Sequence, residues 1–232
     1  RNADLDYANN TVNINFNPET FLGFMLGFVL GTTIHEFMHA YSALRLGDDT
    51  AERQGRVTLN PVAHFDPLGF FMGILLALGV GFIAWGRPVP VNTSNLRFGR
   101  RGMSIVAVAG PISNLVLAAV LVLILKVGQS SLPDSVYSVI GSMISINLLL
   151  FCFHLIPIPP LDGFNILVGI LPNYWVMVLE PIRRYSIPIL LGLVFVVPLL
   201  GRQIGISLDP VSQALGPVIG LLGNLVNGFH AG

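Results

Sequence analysis

From Phe21 to Leu44 the chain runs 24 residues with Glu36 as the only formally charged side chain. As a helix this run is about 36 Å long, enough to cross a hydrocarbon core of about 30 Å. Further apolar runs follow at Pro67–Trp85, Met103–Val127, Val136–Ile156 and Ile187–Leu200. A soluble domain carries about 25% charged residues. Here 10% are charged and 53% are hydrophobic. So few charges cannot cover a water-exposed surface, which excludes an ordinary soluble globule, a disordered chain and a coiled coil. The bilayer is the solvent this composition suits.

Charge and cysteine content narrow the function. Twelve basic and 12 acidic residues cancel. No run of Lys or Arg exceeds two residues, so nucleic-acid binding is not expected. The single cysteine, Cys152, permits no intramolecular disulfide and no four-cysteine metal site. No basic segment followed by an apolar one stands at the start, so no cleavable signal peptide is expected.

The organisation read from these patterns is an all-α polytopic membrane protein with short surface β-strands. Residues 1–20 form a polar N-terminal segment. Val12, Ile14 and Phe16 alternate there with asparagines, as in a short strand. Residues 21–171 hold the core and residues 172–232 further membrane segments. Pro157, Pro159 and Pro160 forbid a continuous helix after Ile156. Tyr174 and Trp175 suit an interfacial turn, and the tail Pro210–Phe229 is apolar with glycine punctuation.

Orientation turns on the glycine-rich segment 67–85. If it spans, the arginine-rich loops 45–66 and 86–101 fall on opposite sides. If it is a re-entrant hairpin, both loops and Arg183–Arg184 share one side, which then holds nine of the 12 basic residues. The positive-inside rule favours the hairpin, with that side cytosolic.

The chemistry concentrates in His35-Glu36-Phe37-Met38-His39. Positions i and i+4 share a helix face, so both imidazoles can reach one metal. Zinc accepts such nitrogen donors in a tetrahedral site, and Glu36 lies where it can take a proton from water. With five His and four Glu in the chain, random order gives roughly 0.002 expected matches. His35 also lies about 21 Å along the helix from Phe21, where ionisable groups are costly and mark function. The bland alternative is a pair of interfacial histidines.

A catalytic zinc needs a third protein ligand and an open position. Asp162 follows the proline-broken run Phe151–Leu161 and is the only carboxylate between Asp134 and Glu180. It could instead cap the next helix. Glu180 is the rival ligand, although Pro181 and Arg183 give it a surface setting.

These residues carry a resemblance. His35-Glu-Phe-Met-His39, Ala109-Gly-Pro-Ile-Ser-Asn114 and Pro160-Leu-Asp162-Gly163 occur in the order and spacing of the site-2 protease family of intramembrane zinc metalloproteases. Arg56-Val-Thr-Leu-Asn-Pro61, His64-Phe-Asp-Pro67 and Gly86-Arg-Pro-Val-Pro-Val91 match further. Together they resemble the compact prokaryotic branch without a PDZ domain, over about residues 21–171.

The resemblance implies a three-helix catalytic core in the cell membrane, with one zinc per chain below the surface on the cytosolic side. It implies His35, His39 and Asp162 as ligands and Glu36 as general base and acid. The implied substrate is a transmembrane protein, single-span and already cut once, reached within membrane lipid. Arg56–Asn60 and Pro88–Asn92 are the expected strands that could offer an edge to an unwound substrate.

Eight residues before the aspartate the family commonly has asparagine, where this chain has His154. That asparagine is associated with polarising the scissile carbonyl. His154 could donate a hydrogen bond there or approach the metal. Asn114, polar within an apolar span, has either a catalytic or a helix-packing role. His64 and Asp66 are expected to shape a turn. The rival functions are a membrane zinc peptidase of another family using Glu180, and an inactive metal-binding or client-holding protein.

Overall fold

A computed structural model describes residues 16–79, 83–128 and 131–203 of the chain. Its helices are α1 (Pro18–Arg45), α2 (Thr50–Arg53), α3 (Pro67–Ala77), α4 (Arg100–Val127), α5 (Asp134–His154) and α6 (Asp162–Ile170), followed by a helical segment over Asn173–Gly201. Four of these are long and apolar enough to cross a membrane: Pro18–Arg45, Arg100–Val127, Asp134–His154 and Asn173–Gly201. The fold is all-α and polytopic. Of the expected N-terminal strand only Phe16 is among the described residues, and the tail Pro210–Phe229 lies wholly outside them.

α1 begins where Asn17 accepts hydrogen bonds from the amides of Glu19 and Thr20, with Pro18 inside the first turn. Its missing N–H costs nothing there. α1 packs on α4 and α5, which also pack on each other, and α6 lies against α4. Ala118, Leu121 and Leu125 of α4 meet Met143, Ile144 and Leu148 of α5. Phe28 of α1 meets Ile146 and Leu150. Leu22, Leu26 and Leu30, one turn apart, remain exposed on α1. They form the apolar outer stripe that contact with lipid tails requires.

α3 has 11 residues, about 16 Å of helix and too short to span. Asp66 caps it by accepting from the Gly69 amide at 2.7 Å. Gly79, at φ +77°, turns the chain after it, a conformation that favours glycine. The segment comes back to its starting level, where the Arg87 amide donates to the His64 carbonyl at 2.8 Å. The described parts of this segment, 67–79 and 83–85, therefore leave and return at the same level. The loops on either side of it also meet, since the Arg97 amide donates to the Leu46 carbonyl at 2.8 Å. Arg100 reaches the Leu171 carbonyl at 3.0 Å, and Arg183 reaches the Asn165 side chain at 2.8 Å. The arginines of both loops and Arg183 thus gather at one end of the bundle.

Among the described residues there is no strand, and the two expected surface strands run as irregular chain. The reason is where the donors go. Pro88 and Pro90 have no N–H. The amides of Arg87, Val89 and Asn92 are taken by the His64 carbonyl, Glu36 Oε2 and Asp48 Oδ2. Three of the four amides in this strap, 87–92, are thus unavailable for a ladder. Arg56 closes this strap from below, donating to the carbonyls of Arg87 and Pro88.

Two buried groups organise the loops. Asp48, with 0% exposure, accepts from Thr50, Asn92 and Asn95. Burial alone would raise its pKa, but those hydrogen bonds hold the carboxyl below its ordinary value. His64 donates from Nε2 to the Thr58 carbonyl at 2.8 Å. Burial, with the Arg56 guanidinium nearby, lowers its imidazole below the ordinary value despite that bond. A lowered histidine contributes stability that is complete above about pH 6.5 and lost as pH falls through the folded-state value. Thermal unfolding in detergent should therefore shift to lower temperature between pH 7.5 and 5.5. His64→Gln should flatten that slope; an unchanged slope would contradict the assignment.

Candidate metal centre

The two histidines of α1 stand one turn apart on the face turned toward α4, α5 and α6, and both are buried, at 3% and 8% exposure. Their Nε2 atoms approach to 2.9 Å. Asp162 enters from the first residue of α6. Its carboxylate makes no capping bond with the helix it begins. Instead Oδ2 lies 3.2 Å from His35 Nε2 and Oδ1 lies 3.3 Å from His39 Nε2. The proline-rich turn between α5 and α6 makes this possible, because it reverses the chain and brings the start of α6 back to the α1 face.

The far sides of both rings are committed. His39 Nδ1 donates to the Val106 carbonyl of α4 at 2.8 Å. His35 Nδ1 bonds Asn114 Oδ1 at 2.7 Å. With the proton on Nδ1, each Nε2 presents a lone pair. Two bare nitrogens and a carboxylate then face one another as acceptors. Such a set calls for a cation. Four-coordinate zinc at about 2.0–2.1 Å from each donor sets neighbouring donors about 3.3 Å apart. The carboxylate separations of 3.2 and 3.3 Å match that spacing, and the two Nε2 atoms at 2.9 Å lie inside it.

The wall opposite is Gly110 of α4. A Cβ built there would lie 2.4 Å from His39 Nε2 and 2.7 Å from His35 Nε2. The missing side chain therefore leaves the space a metal would take. Pro111 follows within the same helix and removes one backbone donor beside the site.

Glu36 is half-buried and turns to the 87–91 strap, where Oε2 accepts from the Val89 amide at 2.8 Å. His154, at the end of α5, lies with Nδ1 2.8 Å from Asp162 Oδ2 and its ring 4.3 Å from that of His35. Within hydrogen-bond reach of the carboxylate, it also belongs to a group with His35 and Asp162 whose ligand atoms lie within 4.8 Å of one another. Asn114 sits behind His35, on the side away from the facing Nε2 atoms.

The cluster thus contains His35, His39, Asp162 and His154. Glu180 is elsewhere: its carboxylate pairs with Arg183 at 2.6 Å and is half-exposed. His64 and Asp66 act in the loops, as the turn reading expects. Asn147 escaped the sequence reading. Fully buried on α5, it bonds Asn114 at 3.0 Å. Its signal was available, since a lone amide in an apolar span is costly unless partnered. Val89 and Arg56 were legible only as motif members. The strap geometry that joins them to Glu36 was not.

The chain is 41% identical over 158 residues to a Bacillus subtilis protein named "Putative zinc metalloprotease YwhC", covering 64% of this chain and 68% of that one. It is 31% identical over 185 residues to "Putative zinc metalloprotease Rip2" of Mycolicibacterium smegmatis, covering 78% and 70%. With "Putative zinc metalloprotease MJ0611" of Methanocaldococcus jannaschii it shares 30% over 176 residues, covering 75% and 83%. No family model matches the chain, and no solved structure matches it significantly.

Gly110→Ala tests the metal space directly. The variant should keep its helical content in detergent and lose zinc, with retention below about a tenth of wild type. Wild-type zinc content would contradict the assignment of that space.

Proposed function

This chain belongs to the site-2 protease family of zinc metalloproteases, and from that premise we propose that it is an intramembrane endopeptidase that cuts transmembrane segments of other membrane proteins. The observation that carries the reading is the convergence of His35, His39 and Asp162 inside a bundle of membrane-length helices, with Glu36 next to the first ligand. In this reading one zinc per chain is held by His35 Nε2, His39 Nε2 and the Asp162 carboxylate. Bound there, zinc supplies Lewis acidity to the scissile carbonyl and to the attacking water.

The chain's own residues do the rest. Glu36 takes a proton from the water and passes it to the leaving nitrogen as the C–N bond breaks. The Val89 amide holds one carboxylate oxygen, Oε2, and leaves the other for that transfer. The Val106 carbonyl keeps the proton of His39 on Nδ1. His154 donates to Asp162 Oδ2 and steadies the carboxylate. Any hydrogen bond from His154 to a substrate carbonyl must then come from its other nitrogen.

A transmembrane helix hides its carbonyls in internal hydrogen bonds, so the substrate must unwind at the cut. Helix-weakening residues there should favour cleavage. The substrate class this suits is a single-span protein already shortened by a first cut, in a regulated proteolytic sequence. The gathering of basic residues at the loop end of the bundle supports a cytosolic position for that end in the cell membrane.

Glu180 as third ligand has no support in the geometry, because its carboxylate is bound to Arg183 away from the histidines. An inactive, client-holding relative has no specific observation in its favour, since base and ligands are all present.

Two measurements test the reading. Glu36→Gln should keep its zinc and lose cleavage of single-span substrates by about 100-fold or more; wild-type rates would defeat the mechanism. Asp162→Ala should lose metal in elemental analysis while Glu180→Ala keeps it. The reverse result would move the chain to the rival peptidase class.

A further inference from the structure

We propose that Asn147 is a positioning residue of the metal centre: acting from α5 through Asn114, it sets which nitrogen of His35 carries the proton. The inference rests on the reading of His35 as a zinc ligand and extends it to a residue outside every motif named above.

The argument starts from groups that can only accept. Asn147 Nδ2 lies 3.2 Å from the Gly27 carbonyl and 2.8 Å from the Met143 carbonyl. Carbonyl oxygens have no proton, so the amide must show them its NH2. That turns Asn147 Oδ1 toward α4. Asn114 Nδ2 answers it at 3.0 Å and donates also to the Gly31 carbonyl at 3.1 Å. With its NH2 engaged by two acceptors, Asn114 must show Oδ1 to His35. His35 Nδ1, 2.7 Å away, is then the donor, and His35 Nε2 is bare.

Turning either amide over breaks the sequence. A flipped Asn147 sets its oxygen against two carbonyl oxygens. A flipped Asn114 sets its oxygen against the Gly31 carbonyl and Asn147 Oδ1, and its NH2 against the ring. That arrangement favours the proton on His35 Nε2, where it would occupy the metal's place. Both asparagines have 0% exposure, so no water can substitute for a lost partner, and unmade buried hydrogen bonds are costly. α1 makes room for the pair with Gly31: a Cβ there would lie 2.5 Å from Asn147 Oδ1 and 3.1 Å from Asn114 Nδ2. Backbone carbonyls of α1 and α5 thereby dictate the tautomer of a ligand on α1 through two side-chain amides.

A helix-packing role and a positioning role predict opposite orders for two variants. Leucine keeps the branching of asparagine, with a larger volume, but offers Asn114 nothing. A buried carboxylic acid at 147, neutral because burial disfavours the charged form, still offers its carbonyl oxygen to Asn114 Nδ2 and turns its O–H toward the Met143 carbonyl. The full chain, purified in detergent, is titrated with zinc against a competing chelator, as wild type, N147L, N147D and H35A. N147L should bind zinc about 10- to 100-fold more weakly, and N147D within about threefold of wild type. Wild-type affinity in N147L, or a loss in N147D as large as in N147L, would overturn the proposal. The second measurement needs no variant to fold. In metal-free wild type with 15N-labelled histidine, the His35 signal should report the proton on Nδ1, and a proton on Nε2 would overturn the proposal. Failure of wild type to bind zinc, or binding undiminished in H35A, would instead overturn the zinc reading, and the tautomer measurement would still judge Asn147.

Discussion

Three acceptor groups held about 3 Å apart, largely shielded inside the bundle, are the constraint on which the rest of the structure depends. Left to themselves, two imidazole lone pairs and a carboxylate repel one another, and in a low-dielectric interior nothing screens them. The fold opposes that repulsion by tying the back of each group. Val106 holds His39, Asn114 holds His35 and His154 holds Asp162. These ties come from α4 and the end of α5, so the packing of four helices and the electrostatics of one site are a single problem. A bound cation then relieves what the protein alone only contains.

The loop end of the bundle shows the same economy of backbone donors. A strap over 87–92 with two prolines would leave ragged hydrogen bonding in any sheet. Here three of its four amides find acceptors: the His64 carbonyl, Glu36 and Asp48. The strap is thereby fastened to the proposed general base, and Arg56 fastens it from the other side through the Arg87 and Pro88 carbonyls.

His154 marks where this chain differs from the common pattern of its family. The imidazole donates to Asp162 where an asparagine would present a shorter amide. In the proposed reading this bond steadies the Asp162 carboxylate, and any substrate contact falls to the far side of the ring.

Much of this was legible in the chain itself. Membrane-length helices follow from apolar runs too long to bury in so small a protein. The ligand pair follows from i, i+4 spacing on a helix, which is a local property. Asp162 followed from scarcity, as one of two carboxylates in reach. The surface strands failed because strand formation depends on which partner takes each amide, and those partners, Glu36, Asp48 and His64, are 23 to 53 residues away in sequence for the strap's three bonds at Arg87, Val89 and Asn92. For 67–85 the charge count favoured a return over a span, and the His64 carbonyl meeting the Arg87 amide brings the chain back to that level. Asn147 was invisible as a contributor because its effect runs through a second side chain on another helix. By itself the sequence determined the solvent, the spans and the identity of the chemical groups, all of which are set by neighbours along the chain. Only the tertiary structure decided which lone pairs face the shared space, because that depends on hydrogen-bond donors and acceptors brought together from four separate helices.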